Sequence, residues 1–309
     1  MNVRGNIAIL IEKYLRKDVC MVITIKGNAK INLTLDILGK RPDGYHEVAM
    51  VMQSIGLHDT VEMEKTDGEI LLEINVPWLQ ADEKNLAWRA AALIKEEYGL
   101  AGGVRMKLTK RIPVAAGLAG GSADAAAVLR GMNRLYELEI SDEKLCELGA
   151  RLGSDIPFCL LGGTMLAAGR GERLERLPDM PETWIVLAKP RISVSTAWAY
   201  QNYDEQGADR HPDNEKIQLE IARGDRKAIA GLLCNVLESV TIKKYDVISS
   251  YKKMMTEQGA MASMMSGSGP TVFGLAESWE AAEKIASFLR RNTDAYVFVT
   301  CTAGSEPQA

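Results

Sequence analysis

A chain of 309 residues is longer than one hydrophobic core usually serves, which points to two domains. Charged residues at 25% and hydrophobic ones at 47% are ordinary for a soluble globular protein and exclude a fibrous or disordered chain. A net charge of −4 gives no reason to expect nucleic acid or a membrane as partner, so an anionic substrate must be met by a local site.

Five cysteines, at 20, 146, 159, 234 and 301, form no Cys-x-x-Cys pair, and there are three histidines. That pattern argues against a disulfide framework or a protein-held metal and for a reducing, cytoplasmic setting. In chain order, Asn6 to Ile11 is an apolar run too short to span a bilayer, followed by Glu12, Lys13, Arg16, Lys17 and Asp18. Residues 1–20 therefore read as a short amphipathic extension. From Met21 the chain is strand-rich. Val22 to Lys26 alternates, and Ala29 to Leu38 alternates more clearly, with Lys30, Asn32, Thr34 and Asp36 sharing the polar face. After the turn Lys40 to Gly44, strands are expected over Val48 to Leu57, Thr60 to Lys65 and Glu69 to Val76, then a helix over Asp82 to Tyr98 stopped by Gly99.

A strand over Gly103 to Ile112 runs into Pro113, which ends the ladder. Small residues follow, with Gly117, Gly120 and Gly121 where the backbone must bend or be approached closely. Ser122 or Asp124 is a candidate cap for the Ala-rich helix to Leu135. Strand, tight loop and helix N-terminus together direct unpaired N–H groups at one point, where an anion, phosphate above all, binds. No Lys-Ser or Lys-Thr follows the glycines, so this is not a Walker A loop, nor does the spacing fit a dinucleotide fingerprint.

Ser141 caps a further helix ending at Gly153. A strand over Gly162 to Ala168 and the charged hairpin Gly169 to Glu172 close the first half, and the domain division is expected near Arg170, giving units 21–170 and 171–309. Beyond it come a strand over Trp184 to Ala188, an exposed loop over Asn202 to Pro212, and helices over Glu215 to Ala222, Arg226 to Val236, Val247 to Glu257 and Trp279 to Arg291. Strands over Thr271 to Ala276 and Tyr296 to Thr302 flank the last helix.

Pro113-Val114-Ala115-Ala116-Gly117-Leu118-Ala119-Gly120-Gly121-Ser122-Ala123 resembles the second motif of the GHMP kinases (galactokinase, homoserine, mevalonate and phosphomevalonate kinases), where it cradles the phosphates of ATP. Ala29-Lys30-Ile31-Asn32-Leu33 resembles the first motif, and Met264 to Thr271 the third, a glycine-rich loop that closes over phosphates and acceptor. Taken alone, Lys30 reads as a solvated strand residue, Gly153-Ser-Asp155-Ile-Pro157 as a helix-ending turn, and Gly267-Ser268-Gly269 as a flexible turn. The resemblance implies instead that Asp155 is the catalytic base, that Lys30 stabilises charge beside the reacting hydroxyl, and that Gly267, Ser268 and Gly269 bind the acceptor.

Asp43-Gly-Tyr45-His46 resembles one branch of the family, whose acceptor is a cytidine-diphosphate-linked methylerythritol on the non-mevalonate route to isopentenyl diphosphate. There the tyrosine stacks on cytosine and the histidine hydrogen-bonds its polar edge, while Asn32 holds the acceptor. The resemblance implies an α+β, two-domain fold: an N-terminal domain like domain 2 of ribosomal protein S5 and a ferredoxin-like α/β C-terminal domain. It implies ATP and Mg²⁺ as cofactors and a monomer or weak homodimer. Ala123 stands where the family often has a second serine, which leaves Ser122 as the loop's hydroxyl and leaves open whether Ser122 or Ser268 touches the phosphates. A non-catalytic sensor on this fold would be expected to lack the base or the loop, and both are present.

Overall fold

The computed structural model describes residues 21–305; the extension expected over residues 1–20 lies outside them. The first sheet is built on β1 (Ile23–Asn32), β2 (Thr34–Lys40) and β3 (His46–Thr66). β3 is its hub. Its first third pairs antiparallel with β2 and its middle with β1, from Asn32↔Met52 to Ile23↔Met63. β4 (Ile70–Ile74) runs parallel to β5 (Gly103–Thr109), which pairs with the end of β3 from Thr60↔Thr109 onward. β6 (Thr164–Gly169) pairs with Val48 to Gln53, and β7 (Arg173–Arg176) with β6.

The break expected at His58 and Asp59, between strands ending at Leu57 and starting at Thr60, does not occur. Asp59 is fully buried, but its carboxylate accepts from the backbone N–H groups of Arg111 and Ile112 and pairs with Lys110. A polar residue whose acceptors are all used can sit inside a sheet and need not mark a turn.

The helix Gly120–Tyr136 packs its alanine face onto this sheet, burying Ala123, Ala125, Ala126, Ala127, Val128, Leu129 and Met132. Alanine lets the helix lie close to β1. At Gly27 a Cβ would stand 2.4 Å from the Ala123 carbonyl oxygen, so only glycine fits there. The helix expected over Asp82 to Tyr98 starts later, at Leu86–Glu97, because Asn85 caps it by accepting from the Ala87 N–H. Ser141 caps Asp142–Leu152 as expected, accepting from Lys144 N–H.

The second sheet opens at β8 (Trp184–Lys189), before the last strand of the first has been laid down. Two expectations for the region between its strands fail. Residues 202–206 belong to the helix Thr196–Gln206, capped by Ser195, rather than to a loop. The helix expected over Arg226 to Val236 ends at Gly231, and Cys234–Asn235 form β9, parallel to β2. The competing demand is tertiary: Cys234 and Val236 N–H groups donate to the carbonyls of Leu33 and Leu35. β10 (Ala262–Met265), β11 (Val272–Ala276), β8 and β12 (Tyr296–Cys301) then form a four-stranded antiparallel sheet in the order β10-β11-β8-β12. The helices Asp246–Glu257 and Trp279–Asn292 pack against it, which is the ferredoxin-like arrangement. The two sheets are joined where Ala303 N–H donates to Ser54 O at 2.8 Å and Gln53 donates to Ala303 O. Among the described residues no helix is long and apolar enough to cross a membrane.

Candidate active site

A cleft of about 1140 Å³ opens where the first sheet's loops meet the helix Thr196–Gln206 and the 266–270 turn. One wall is the loop Pro113 to Ala119. Its chain direction is set by three left-handed residues, Ala115 (φ 50), Gly117 (φ 75) and Ala119 (φ 57). At Gly117 a side chain is impossible, since a Cβ would lie 2.2 Å from the Ser266 carbonyl oxygen. Ser266 Oγ donates to Gly117 O at 2.9 Å and Thr271 N–H to Ala116 O, so the two glycine-rich segments are hydrogen-bonded to each other. Asn235, on β9, holds the second segment by donating to the carbonyls of Met265 and Gly267.

Neither Ser122 nor Asp124 caps the helix that follows. The cap position is Ala119, with no side-chain hydrogen bond, so the N–H groups of the first turn face the cleft without a side-chain partner. That opening leaves the positive end of the helix available to an anion. Asp124 lies in the second turn, buried, with Oδ2 2.5 Å from Lys110 Nζ, while Lys110 also pairs with Asp59. Burial pushes the Asp124 carboxyl up, to about 8, with Lys110 opposing the shift and Asp59 adding to it. Burial pulls the Lys110 ammonium down, but the two carboxylates outweigh it and the net shift is upward. The second oxygen of Asp124, Oδ1, has no hydrogen-bond partner. Of the loop residues expected to meet ATP, Pro113 to Gly117 and Ala119 to Ser122 line the cleft. The side chains of Leu118 and Ala123 are instead buried in the core, and Leu118 contributes a carbonyl that accepts from the Lys30 N–H.

On the floor, Lys30 is not a solvated strand residue: its side chain is 6% exposed. Its Nζ donates to Asn32 Oδ1 at 2.7 Å and stands 4.0 Å from Asp155 Oδ2. Asn32 is fully buried and donates in turn toward Met50 Sδ. Asp155 sits at the entry to the short helix Ile156–Leu161, where Pro157 occupies the first turn. It makes no side-chain cap, so its carboxylate is left for the cleft. A buried ammonium beside a carboxylate near an uncapped helix terminus can steady charge on a transferring group while the carboxylate takes a proton.

The opposite wall carries Tyr45 and His46. Tyr45 is exposed, with the Arg170 guanidinium 5.1 Å from its ring. His46 packs against Tyr200 at 4.9 Å between centroids, and its Nε2 lies 2.6 Å from Asp204 Oδ1. Ser268 Oγ pairs with Thr196 Oγ1 at 2.9 Å, so Gly267, Ser268 and Gly269 border both walls. The expected residues thus converge, Leu118 and Ala123 apart. Sequence reading missed Tyr200, Asp204 and Arg170. The first two lay in a stretch with no motif, and Asp204 fell in the expected loop; a helical spacing of Tyr200 and Asp204 after the Ser195 cap was the signal available.

Comparison with known proteins agrees with this geometry. The family model for the GHMP kinase N-terminal domain matches residues 85–163, and that for the C-terminal domain residues 217–295. A 4-diphosphocytidyl-2-C-methyl-D-erythritol kinase from Acetivibrio thermocellus is 48% identical over 280 residues, covering 91% of this chain and 99% of the relative. One from Bacillus pumilus is 50% identical over 271 residues, covering 87% and 93%. The crystal structure of a 4-(cytidine 5′-diphospho)-2C-methyl-D-erythritol kinase superposes with a TM-score of 0.78 at 35% identity, covering 91% of this chain and all of that one. A mevalonate kinase from L. major in complex with R-mevalonate shares the fold at 17% identity, with a TM-score of 0.75, covering 95% and 99%. With relatives of this identity spanning nearly their whole length, the chain belongs to the GHMP kinase family of small-molecule kinases.

Proposed function

We propose that the chain transfers the γ-phosphate of ATP to the 2-hydroxyl of 4-diphosphocytidyl-2-C-methyl-D-erythritol, giving the 2-phosphate and ADP. The observation that carries this reading is the Lys30–Asp155 pair, 4.0 Å apart, beside a helix N-terminus that no side chain caps. The acceptor is supported by the names of the relatives and by the aromatic wall of Tyr45, His46 and Tyr200.

Asp155 takes the hydroxyl proton as the acceptor oxygen attacks the γ-phosphorus, and the bond from that phosphorus to the β–γ bridging oxygen breaks, leaving its electrons on ADP. Lys30, held by Asn32, offsets negative charge on the oxygens around that phosphorus. The loop 113–122 and the open helix turn hold the nucleotide phosphates through backbone N–H groups, which alanine supplies as well as glycine. The 266–270 segment, tied to Gly117, keeps water from the reacting atoms.

The residues present fit Mg²⁺ as the metal: Ser122 Oγ, Asp155 and the unpartnered Oδ1 of Asp124 are hard oxygen donors near the loop. Among the described residues no three His, Cys, Asp or Glu groups form a metal site, which suits an ion carried mainly by phosphate and water. When bound, it supplies positive charge to the phosphate oxygens. A cytoplasmic, monomeric or weakly dimeric enzyme belongs to the same reading.

The test is Mg²⁺-dependent transfer of labelled γ-phosphate, with mevalonate and homoserine in parallel. Label on the cytidylyl acceptor alone is expected. Label on either other acceptor instead would overturn the role given to Tyr45 and His46, while transfer to none with ATP bound would favour a sensor.

A further inference from the structure

The contact between His46 and Asp204 ties β3 to the helix Thr196–Gln206 within one wall of the cleft. His46 opens β3, and Asp204 lies near the end of the helix Thr196–Gln206. Asp204 uses both its oxygens. Oδ1 is 2.6 Å from His46 Nε2, and Oδ2 is 2.9 Å from Lys40 Nζ. Hydrogen bonds from Lys40 and then His46 hold the Asp204 carboxyl below the usual carboxylate range. An ionised carboxylate only accepts, so His46 Nε2 must carry the ring proton. In a neutral imidazole the other nitrogen, Nδ1, is then an acceptor. Nδ1 has no hydrogen-bond partner among the described residues, and the ring borders the cleft beside Tyr200.

Cytosine and uracil have nearly the same shape and differ in what the base edge offers. Cytosine carries an amino donor where uracil carries a carbonyl acceptor. An acceptor on the protein pairs with the first and sets lone pair against lone pair with the second. We propose that Asp204, anchored by Lys40, is a positioning residue that fixes the Nε2–H tautomer of His46 and so makes the cleft select a cytosine-bearing over a uracil-bearing acceptor. This rests on the acceptor reading above. A site built around one hydrogen bond rejects the isostere that cannot make it, because a buried polar group is left unpaired. Tyr45 stacks on either base and supplies affinity without discrimination.

Two measurements test it. Long-range ¹H–¹⁵N spectra of histidine-labelled protein contain three rings, with His46 assigned by its loss in His46→Gln. At pH 8 the wild type is expected to show a protonated Nε2 and a bare Nδ1. A proton on Nδ1 would overturn the proposal whether or not any variant folds.

The second compares cytidine- and uridine-linked acceptors in wild type and Asp204→Asn. In that variant Lys40 attracts the amide oxygen, so the amide NH₂ faces His46 Nε2 and shifts the ring proton to Nδ1. The cytidine-to-uridine ratio of kcat/KM is expected to fall at least about tenfold, through the acceptor KM, with the KM for ATP unchanged. Asp204→Glu should retain the wild-type preference. An unchanged ratio in Asp204→Asn overturns the proposal. A wild type that phosphorylates neither compound overturns the acceptor reading instead, and the spectra then decide the tautomer alone.

Discussion

The two walls of the cleft are made by different means. The wall proposed for the nucleotide is one continuous stretch, Pro113 to Ser122, built on backbone conformation: three left-handed residues and an uncapped helix turn. The wall proposed for the acceptor is assembled from side chains far apart in sequence, with His46 of β3 meeting Tyr200 and Asp204 of the helix Thr196–Gln206. A backbone site depends on conformation and tolerates changes of side chain that keep it small. A side-chain site depends on identity and on the packing that brings the parts together. Lys30 and Asp155, 4.0 Å apart, both border the same cleft.

That division can be broken most severely at this pair. Asp155→Asn is expected to lower kcat by about 10²–10⁴-fold, with ATP affinity and unfolding temperature near wild type; wild-type turnover would remove Asp155 from the role of base. On the nucleotide wall, Gly117→Ala drives a Cβ into the Ser266 carbonyl and strains φ at +75°. The KM for ATP should rise more than about tenfold, since left-handed backbone alone costs ~1–2 kcal/mol, and thermal unfolding should fall with it. Ser122→Ala, by contrast, leaves the backbone donors in place and should change the KM for ATP far less.

The acceptor wall should respond in the opposite sense. Tyr45→Ala removes a stacking face worth ~0.5–1.5 kcal/mol, raising the acceptor KM several-fold while leaving the KM for ATP unchanged in steady-state kinetics. A smaller effect concerns the buried cluster under the phosphate loop. Asp124 is raised from 3.8 to about 8, so the folded protein holds a proton that the unfolded chain has released. Its contribution is full below the unfolded value and is lost as pH rises through the folded one. Unfolding temperature should therefore drop by a few degrees between pH 5 and pH 8.5, and Asp124→Asn should flatten that slope in calorimetry. Smallest of all is Ala119→Gly. It relieves a left-handed alanine but adds unfolded-chain entropy, and the two offset to within about 1 kcal/mol, read as a near-unchanged denaturation midpoint.

Local pattern carried much of the molecule. Ser141 caps where its side chain implied and the Pro113 to Ser122 run opens its helix, whereas the strand expected over Ala29 to Leu38 is divided at Leu33 between β1, which begins at Ile23, and β2. Where sequence reading went astray, a distant partner had changed the meaning of a residue. His58 and Asp59 were expected to break the strand until the Arg111 and Ile112 N–H groups took up the Asp59 carboxylate. Asp124 resembled a cap until Lys110 drew it inward. Cys234 and Asn235 continued a helical pattern until β2 offered them strand partners.

Glycine spacing and short-range periodicity thus determined the 113–122 loop and the strands beside it, because backbone conformation answers first to near neighbours, while the family came from the resemblance of whole motifs. Only tertiary structure decided that Lys30 is buried and set against Asp155, that Gly117 is overlaid by Ser266, and that Asp204 stands behind His46. Those are meetings of residues separated by more than a hundred positions. Their geometry follows from how two sheets pack, which no local pattern encodes.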